Sequence, residues 1–272
     1  MIAEESVQKA LKIVEDRMDI QPSIGLVLGS GLGGLIEQIG NMRVLPFDEI
    51  PCFPRPSVKG HQGNLVWGNL GNKQVIALQG RVHYYESRSM DQVAFPIRIL
   101  RKTGIEKLIL TNACGAINPD FPLGSFMFIR DHINWMGSNP LIGPNREEWG
   151  PRFPEMRDAY DPGLIEIGLR SAQSTGLETF SGIYCGVRGP NYLSRAELKM
   201  LRFFGADTVG MSTVPETIAA KHMNLPVLGI SCITDMAVPE TLTPLTHEDV
   251  IRVAEEAGPA FVRLITTILE RL

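Results

Sequence analysis

Apolar positions along the chain switch between two spacings. In residues 6–18, Val7, Leu11, Ile13 and Val14 make a roughly helical stripe. Residues 23–28 follow as a short apolar run ending in glycines, which suits a buried strand. Residues 64–70 and 74–78 read as two strands joined at Gly71-Asn72, a hairpin pair of turn residues. A helix is predicted over residues 90–102, bent near Pro96, with strands over 107–111 and 125–129. Asp161-Pro162 supplies the N-cap and first residue of another helix, which Gly176 closes. A strand over residues 182–187 precedes Ser194-Arg195-Ala196-Glu197, a capping-box pattern. Thr213-Val214-Pro215-Glu216 repeats that pattern after a short strand at 208–210. The longest apolar strand runs over 226–233, and Thr246 opens a C-terminal helix interrupted at Gly258-Pro259. Alternating strands and helices, with neither an internal repeat nor a low-complexity linker, predict one α/β domain over residues 1–272.

One stretch fits no regular element. Residues 137–154 hold Pro140, Gly143, Pro144, Gly150, Pro151 and Pro154, with Trp149 and Phe153 among them. A proline-rich loop of this length inside a compact domain is expected to serve as a lid or an interface, or else to be mobile.

Composition narrows the classes. Apolar residues make 44% of the chain and charged residues 21%, an ordinary globular balance. With a net charge of −4, nothing global attracts nucleic acid or a membrane surface, so any anion site must be local. The opening residues Met1-Ile2-Ala3-Glu4-Glu5 carry acids where a signal peptide carries a basic region. Cys52, Cys114, Cys185 and Cys232 are far apart and lack metal-ligand spacing, so no metal is expected. Reduced thiols in a cytoplasmic protein are the simplest reading.

Candidate chemistry gathers where strands end. Gly29-Ser30-Gly31-Leu32-Gly33-Gly34 satisfies the dinucleotide glycine pattern, with Asp48 or Glu49 near the usual acid spacing. The physics behind that pattern is broader: backbone amides freed by glycines approach any anion, a bare phosphate included. Arg81 and His83 in Gln79-Gly80-Arg81-Val82-His83-Tyr84-Tyr85-Glu86 would share one side of an extended segment and clamp an oxyanion; a surface arginine beside an incidental histidine is the alternative. Thr111-Asn112-Ala113-Cys114-Gly115-Ala116 is a strand end of small residues that lets backbone N–H groups reach a ligand. In Gly210-Met211-Ser212-Thr213, capping by Thr213 leaves Ser212 available. Asp235 ends the longest apolar strand in a carboxylate. Ligands of open α/β sheets bind outside the carboxyl ends of strands, so these five polar termini suggest one crevice.

These segments resemble the trimeric purine nucleoside phosphorylases and their methylthioadenosine phosphorylase relatives. The match is carried by the 29–33, 79–86 and 111–113 segments, with Gly60-His61-Gln62-Gly63, Asp131-His132-Ile133-Asn134, Gly189-Pro190 and residues 210–216, in order across residues 23–250. The resemblance implies a mixed central β-sheet flanked by helices, no cofactor, and inorganic phosphate as co-substrate. It implies phosphate held by Ser30, Arg81, His83, the backbone amide of Ala113, and Ser212. Tyr85 and Met211 would meet the ribose, His247 the 5′ position, and Tyr192 would stack on the base. Asp235 would face N7 and the 6-substituent, making His83 and Asp235 the catalytic candidates. His61 and Glu86 fall in a supporting shell; His132 and His222 read as structural. Phe153 looks like the residue that reaches a neighbouring subunit's site, implying a homotrimer.

The departures from the family concern the base. Phosphorylases for guanine and hypoxanthine nucleosides place a glutamate after the stacking aromatic to accept N1–H; here that position is Leu193. They also carry asparagine at the position of Asp235, whose ionised form can accept but not donate. Asp235 and Ser194-Arg195-Ala196-Glu197 are nearer to the methylthioadenosine phosphorylases, yet His247 suits a 5′-hydroxyl better than a thiomethyl group. The expected substrate is therefore a 6-aminopurine nucleoside, adenosine or methylthioadenosine, with the 6-oxopurine nucleosides inosine and guanosine as runner-up. A dinucleotide-dependent oxidoreductase, a non-catalytic nucleoside-binding protein and a nucleoside hydrolase are the competing classes.

Overall fold

A computed structural model describes residues 2–86 and 89–272. Helix α1 (Glu4–Arg17) leads into β1 (Ile24–Leu28), a 3-10 turn over Gly33–Gln38, and strand β2 (Gly40–Pro46). Strands β3 (Asn64–Leu70) and β4 (Lys73–Gln79) form the predicted hairpin, pairing antiparallel from Leu70 opposite Lys73. Helix α2 (Met90–Lys102) follows, then β5 (Lys107–Ala116), β6 (Phe126–Trp135) and α3 (Pro162–Ser174). The chain continues through β7 (Thr179–Val187), α4 (Arg195–Phe203), β8 (Thr208–Gly210), α5 (Val214–His222), β9 (Val227–Met236) and α6 (His247–Arg271).

Among the described residues the strands make one mixed nine-stranded sheet in the order β2-β3-β4-β1-β5-β8-β7-β6-β9. Strand β5 also pairs with β9, so the last five strands of that order close into a ring. Strand β1 lies parallel to both β4 and β5 at the junction between this ring and the open wing. Both faces are covered. Ile24, Leu26 and Leu28 of β1 face Phe261, Leu264 and Ile265 of α6, while Val27 joins the opposite cluster with Phe95 of α2 and Ile218 of α5. That two-sided burial explains why β1 reads as a continuous apolar run.

The structure departs from the sequence reading at four places. No helix begins in the glycine-rich loop: residues 33–38 form only a 3-10 turn. Strand β2, which periodicity missed, is a mostly exposed edge strand with Leu45 its single fully buried residue, so it carries no apolar alternation. Strands β5 and β6 run on past the apolar stretches that marked them, because their polar halves pair within the ring. Helix α6 passes through Gly258-Pro259 unbroken. Pro259 is exposed, so the carbonyl it leaves unpaired can be hydrated while Ala254, Phe261 and Leu264 hold the helix on the sheet. Helix α2 likewise contains Pro96; the capping box at Ser194/Glu197 is present, and at Thr213/Glu216 the carboxylate accepts the Thr213 N–H while the Thr213 hydroxyl is turned to Asn112 and Ser212.

Candidate active site

A cavity of about 610 Å³ opens at the carboxyl ends of β1, β4, β8 and β9 and along the distal half of β5. Ser30, Arg81, His83, Ala113 and Ser212 line it, and so do Tyr192, Leu193, Asp235, Tyr85, Met211 and His247. Every site residue expected from the sequence is therefore brought together except Phe153. That ring is 87% exposed on the 137–154 loop, outside the cavity. The loop itself is anchored: Trp149 is buried between the guanidinium groups of Arg98, 3.9 Å away, and Arg146, 4.3 Å away. His222 donates to the Pro151 carbonyl at 3.1 Å and His132 packs edge-on to Tyr160, so both histidines are structural in position.

Around Ser30, Arg81, His83 and Ser212 the polar groups are already held by neighbouring side chains. His61 is held neutral, its pKa depressed to about 3 by burial and by the nearby His83 and Arg81. Its Nδ1 accepts the Arg81 backbone N–H at 3.2 Å, so the remaining ring proton sits on Nε2 and points at Ser30 Oγ, 3.1 Å away. With a lone pair so occupied, the Ser30 hydroxyl keeps its own proton for a ligand. Gly80 is glycine for the same contact: it has φ +98°, and a Cβ there would stand 2.8 Å from the His61 backbone.

Arg81 is 4% exposed. Its Nε donates to Glu216 Oε1 at 2.9 Å and its Nη1 to the Thr111 carbonyl, which leaves Nη2 buried without a partner among the described residues. A native guanidinium rarely leaves a buried donor unpaired unless a ligand completes it. His83 donates from Nδ1 to Glu86 Oε1 at 2.8 Å and stacks on Tyr85 with ring centroids 5.0 Å apart. Burial pushes the Glu86 carboxyl up, but hydrogen bonds from His83 and Ser57 outweigh it and hold the group down at about 2, fixing it as an acceptor. Ser212 enters on a γ-turn centred on Thr213, whose φ is +69° and whose ends join through Val214 N–H to the Ser212 carbonyl at 2.7 Å. Asn112 Nδ2 donates to Thr213 Oγ1 at 2.9 Å, and Thr213 Oγ1 lies 3.1 Å from Ser212 Oγ.

The phosphorylase superfamily model matches residues 23–270. Purine nucleoside phosphorylase 1 of Bacillus subtilis is 45% identical over 263 residues, 97% of each chain. The chain belongs to the purine nucleoside phosphorylase family. Two solved relatives from Schistosoma mansoni superpose over 99% of this chain at 36% identity. One is a purine nucleoside phosphorylase in complex with adenosine, with a TM-score of 0.94 and 98% of that chain covered. The other is a purine nucleoside phosphorylase in complex with inosine, at 0.93 and 97%. As a purine nucleoside phosphorylase the protein is a pentosyltransferase, which removes the oxidoreductase reading. The structure explains why that reading failed. The glycine loop leads into no α-helix whose N-terminus could take a pyrophosphate, and Asp48 and Glu49 are committed to ion pairs with Arg55 and Arg17.

The cavity of this purine nucleoside phosphorylase also carries a carboxylate, that of Asp235. The pairing of β5 with β9 shifts register between Cys114 opposite Ile233 and Gly115 opposite Asp235, so Thr234 is an extra residue. Such a bulge re-aims the next side chain, and it stands beside the cavity. Asp235 then packs over Gly115, where a Cβ would come within 2.5 Å of its Oδ2. Burial pushes the Asp235 carboxyl up to about 6 against the opposing hydrogen bond from Thr234. Gly115 stands at this shift, but a glycine within a run of small residues reads equally as close packing, so the sequence alone does not mark the bulge.

Proposed function

We propose that the enzyme phosphorolyses 6-aminopurine nucleosides, with adenosine the fitting substrate and methylthioadenosine the second. Ser30, Arg81, His83, the Ala113 amide and Ser212 hold inorganic phosphate beneath the sugar. Tyr85 and Met211 border the ribose, and Tyr192 stacks on the base. As a phosphate oxygen bonds to C1′, the C1′–N9 bond breaks and its electron pair passes into the purine. Positioning of the nucleophile and stabilisation of that developing charge are the two parts the protein supplies. The phosphate dianion itself stabilises the cationic sugar.

The observation that carries the base assignment is the pairing of Leu193 with Asp235 in one cavity wall. Leucine accepts nothing from the N1–H of a 6-oxopurine. Asp235, kept near half-protonated by burial in weakly acidic solution, can donate its proton to N7 with one oxygen and accept from a 6-amino group with the other. At the sugar's far end His247 Nε2 lies 3.2 Å from the Lys59 carbonyl. Donation there leaves Nδ1 as an acceptor, which a 5′-hydroxyl can satisfy and a thioether cannot. Initial rates with adenosine, methylthioadenosine, inosine and guanosine at fixed phosphate test the reading. The 6-amino substrates are expected to lead in kcat/KM, and a wide margin for inosine overturns it.

The homotrimer and the cytoplasmic setting belong to the same proposal. An anchored loop that holds Phe153 87% exposed supports a partner subunit there, and sedimentation at the 30.0 kDa monomer mass would contradict it. Four cysteines without a disulfide among the described residues suit a reducing compartment.

A further inference from the structure

We infer that Glu216 is a positioning residue for phosphate, fixing Arg81 and the Ser212 turn together through one buried carboxylate. The inference rests on the proposed phosphate roles of Arg81 and Ser212, and it goes beyond the helix-capping part that the sequence pattern assigns to Glu216. Residues 135 positions apart meet here. Arg81 leaves the end of β4, and Glu216 lies in the first turn of α5. Both side chains are only 3% exposed.

The two oxygens of Glu216 are divided between two tasks. Oε1 accepts Arg81 Nε–H at 2.9 Å, and Oε2 accepts the Thr213 N–H at 3.0 Å. With Nη1 turned to the Thr111 carbonyl, the guanidinium plane is fixed by two acceptors, and Nη2 is the donor left over. Meanwhile the bond to Thr213 N–H supports a non-glycine residue at φ +69°, a conformation that side-chain-bearing residues seldom adopt unsupported. That turn sets where Ser212 stands. One carboxylate thus holds two anion donors from different strands in fixed relation.

The sign of the effect separates positioning from plain electrostatics. A carboxylate near the site repels a phosphate dianion through space, so removing its charge should tighten phosphate binding if charge alone mattered. Positioning predicts the opposite. In Glu216→Gln the amide offers one acceptor where two donors converge, so either Arg81 or the Thr213 turn loses its anchor.

The test is steady-state phosphorolysis by the full-length enzyme, with phosphate and nucleoside varied separately. Glu216→Gln is expected to raise the phosphate KM by about tenfold or more, the scale of one charge-assisted hydrogen bond, while the nucleoside KM moves by less than about twofold. In the cycle with Arg81→Ala, the double variant should bind phosphate no worse than Arg81→Ala alone, since without Arg81 the single glutamine oxygen is free to accept the Thr213 N–H and keep the Ser212 turn. A lower phosphate KM, equal losses for both substrates, or additive losses in the cycle each overturn the inference. If Arg81→Ala leaves the phosphate KM unchanged, the clamp itself is misplaced instead. Should Glu216→Gln fail to fold, Glu216→Asp carries the same test: it keeps the charge, shortens the reach, and is expected to weaken phosphate alone.

Discussion

Arg81→Ala is expected to lower kcat/KM for phosphate by about 10²–10³-fold, the range found when one preorganised oxyanion donor is removed. Nucleoside affinity measured without phosphate should change little, because in the proposed arrangement Arg81 holds phosphate while Tyr192, Leu193 and Asp235 meet the base. The asymmetry is the point. Arg81 has three nitrogens accounted for in different ways: Nε on Glu216, Nη1 on the Thr111 carbonyl, and Nη2 on nothing among the described residues. The variant also strands Glu216 as a buried carboxylate, and breaking such a pair typically costs about 3–5 kcal/mol. Thermal denaturation should therefore fall alongside phosphate use, and kinetics belong at a temperature where the variant is folded. Equal loss of phosphate and nucleoside binding in folded protein would mean that the phosphate site has been misassigned.

The second large effect is expected at the base. Leu193→Glu with Asp235→Asn should move the ratio of kcat/KM for inosine over adenosine by on the order of 10³ towards inosine. Glutamate at position 193 would accept N1–H and would face the lone pair of adenine N1, while an asparagine amide at 235 would donate to O6 and replace the carboxylate that a 6-amino group uses. A site that hydrogen-bonds one edge pattern rejects the other because buried polar groups are left unpaired. Each single change should give an intermediate shift, and the two should be more than additive, since both face one ring. An unchanged ratio in the double variant would place the base elsewhere in the cavity.

How much of this was legible in the sequence depends on what each residue answers to. Strand β1, the β3–β4 hairpin, helices α2 and α4, and β8 were readable because burial and capping leave periodic or local signals. Strand β2 was not, since an exposed edge strand held by backbone bonds has no apolar side to display. The long polar halves of β5 and β6 were invisible for a related reason: their partners in the closed ring lie far along the chain. At the site, residue types at strand ends marked Ser30, Arg81, Ser212 and Asp235, and the family resemblance added Tyr85, Tyr192, Met211 and His247. Neither route could orient them. The tautomer of His61 follows from an Arg81 backbone N–H, the aim of Asp235 from a bulge at Thr234, and the pairing of Arg81 with Glu216 from a contact spanning 135 residues. Glu216 did carry a signal, as the last residue of a capping box. That local role was read, and its second oxygen was missed.

The most direct test is a crystal of the enzyme soaked in phosphate. The account predicts tetrahedral density with its oxygens about 3 Å from Arg81 Nη2, Ser30 Oγ and Ser212 Oγ, the ordinary hydrogen-bond distance. Density lodged instead on the outer face of the Gly31–Gly34 loop, with none among those donors, would contradict it.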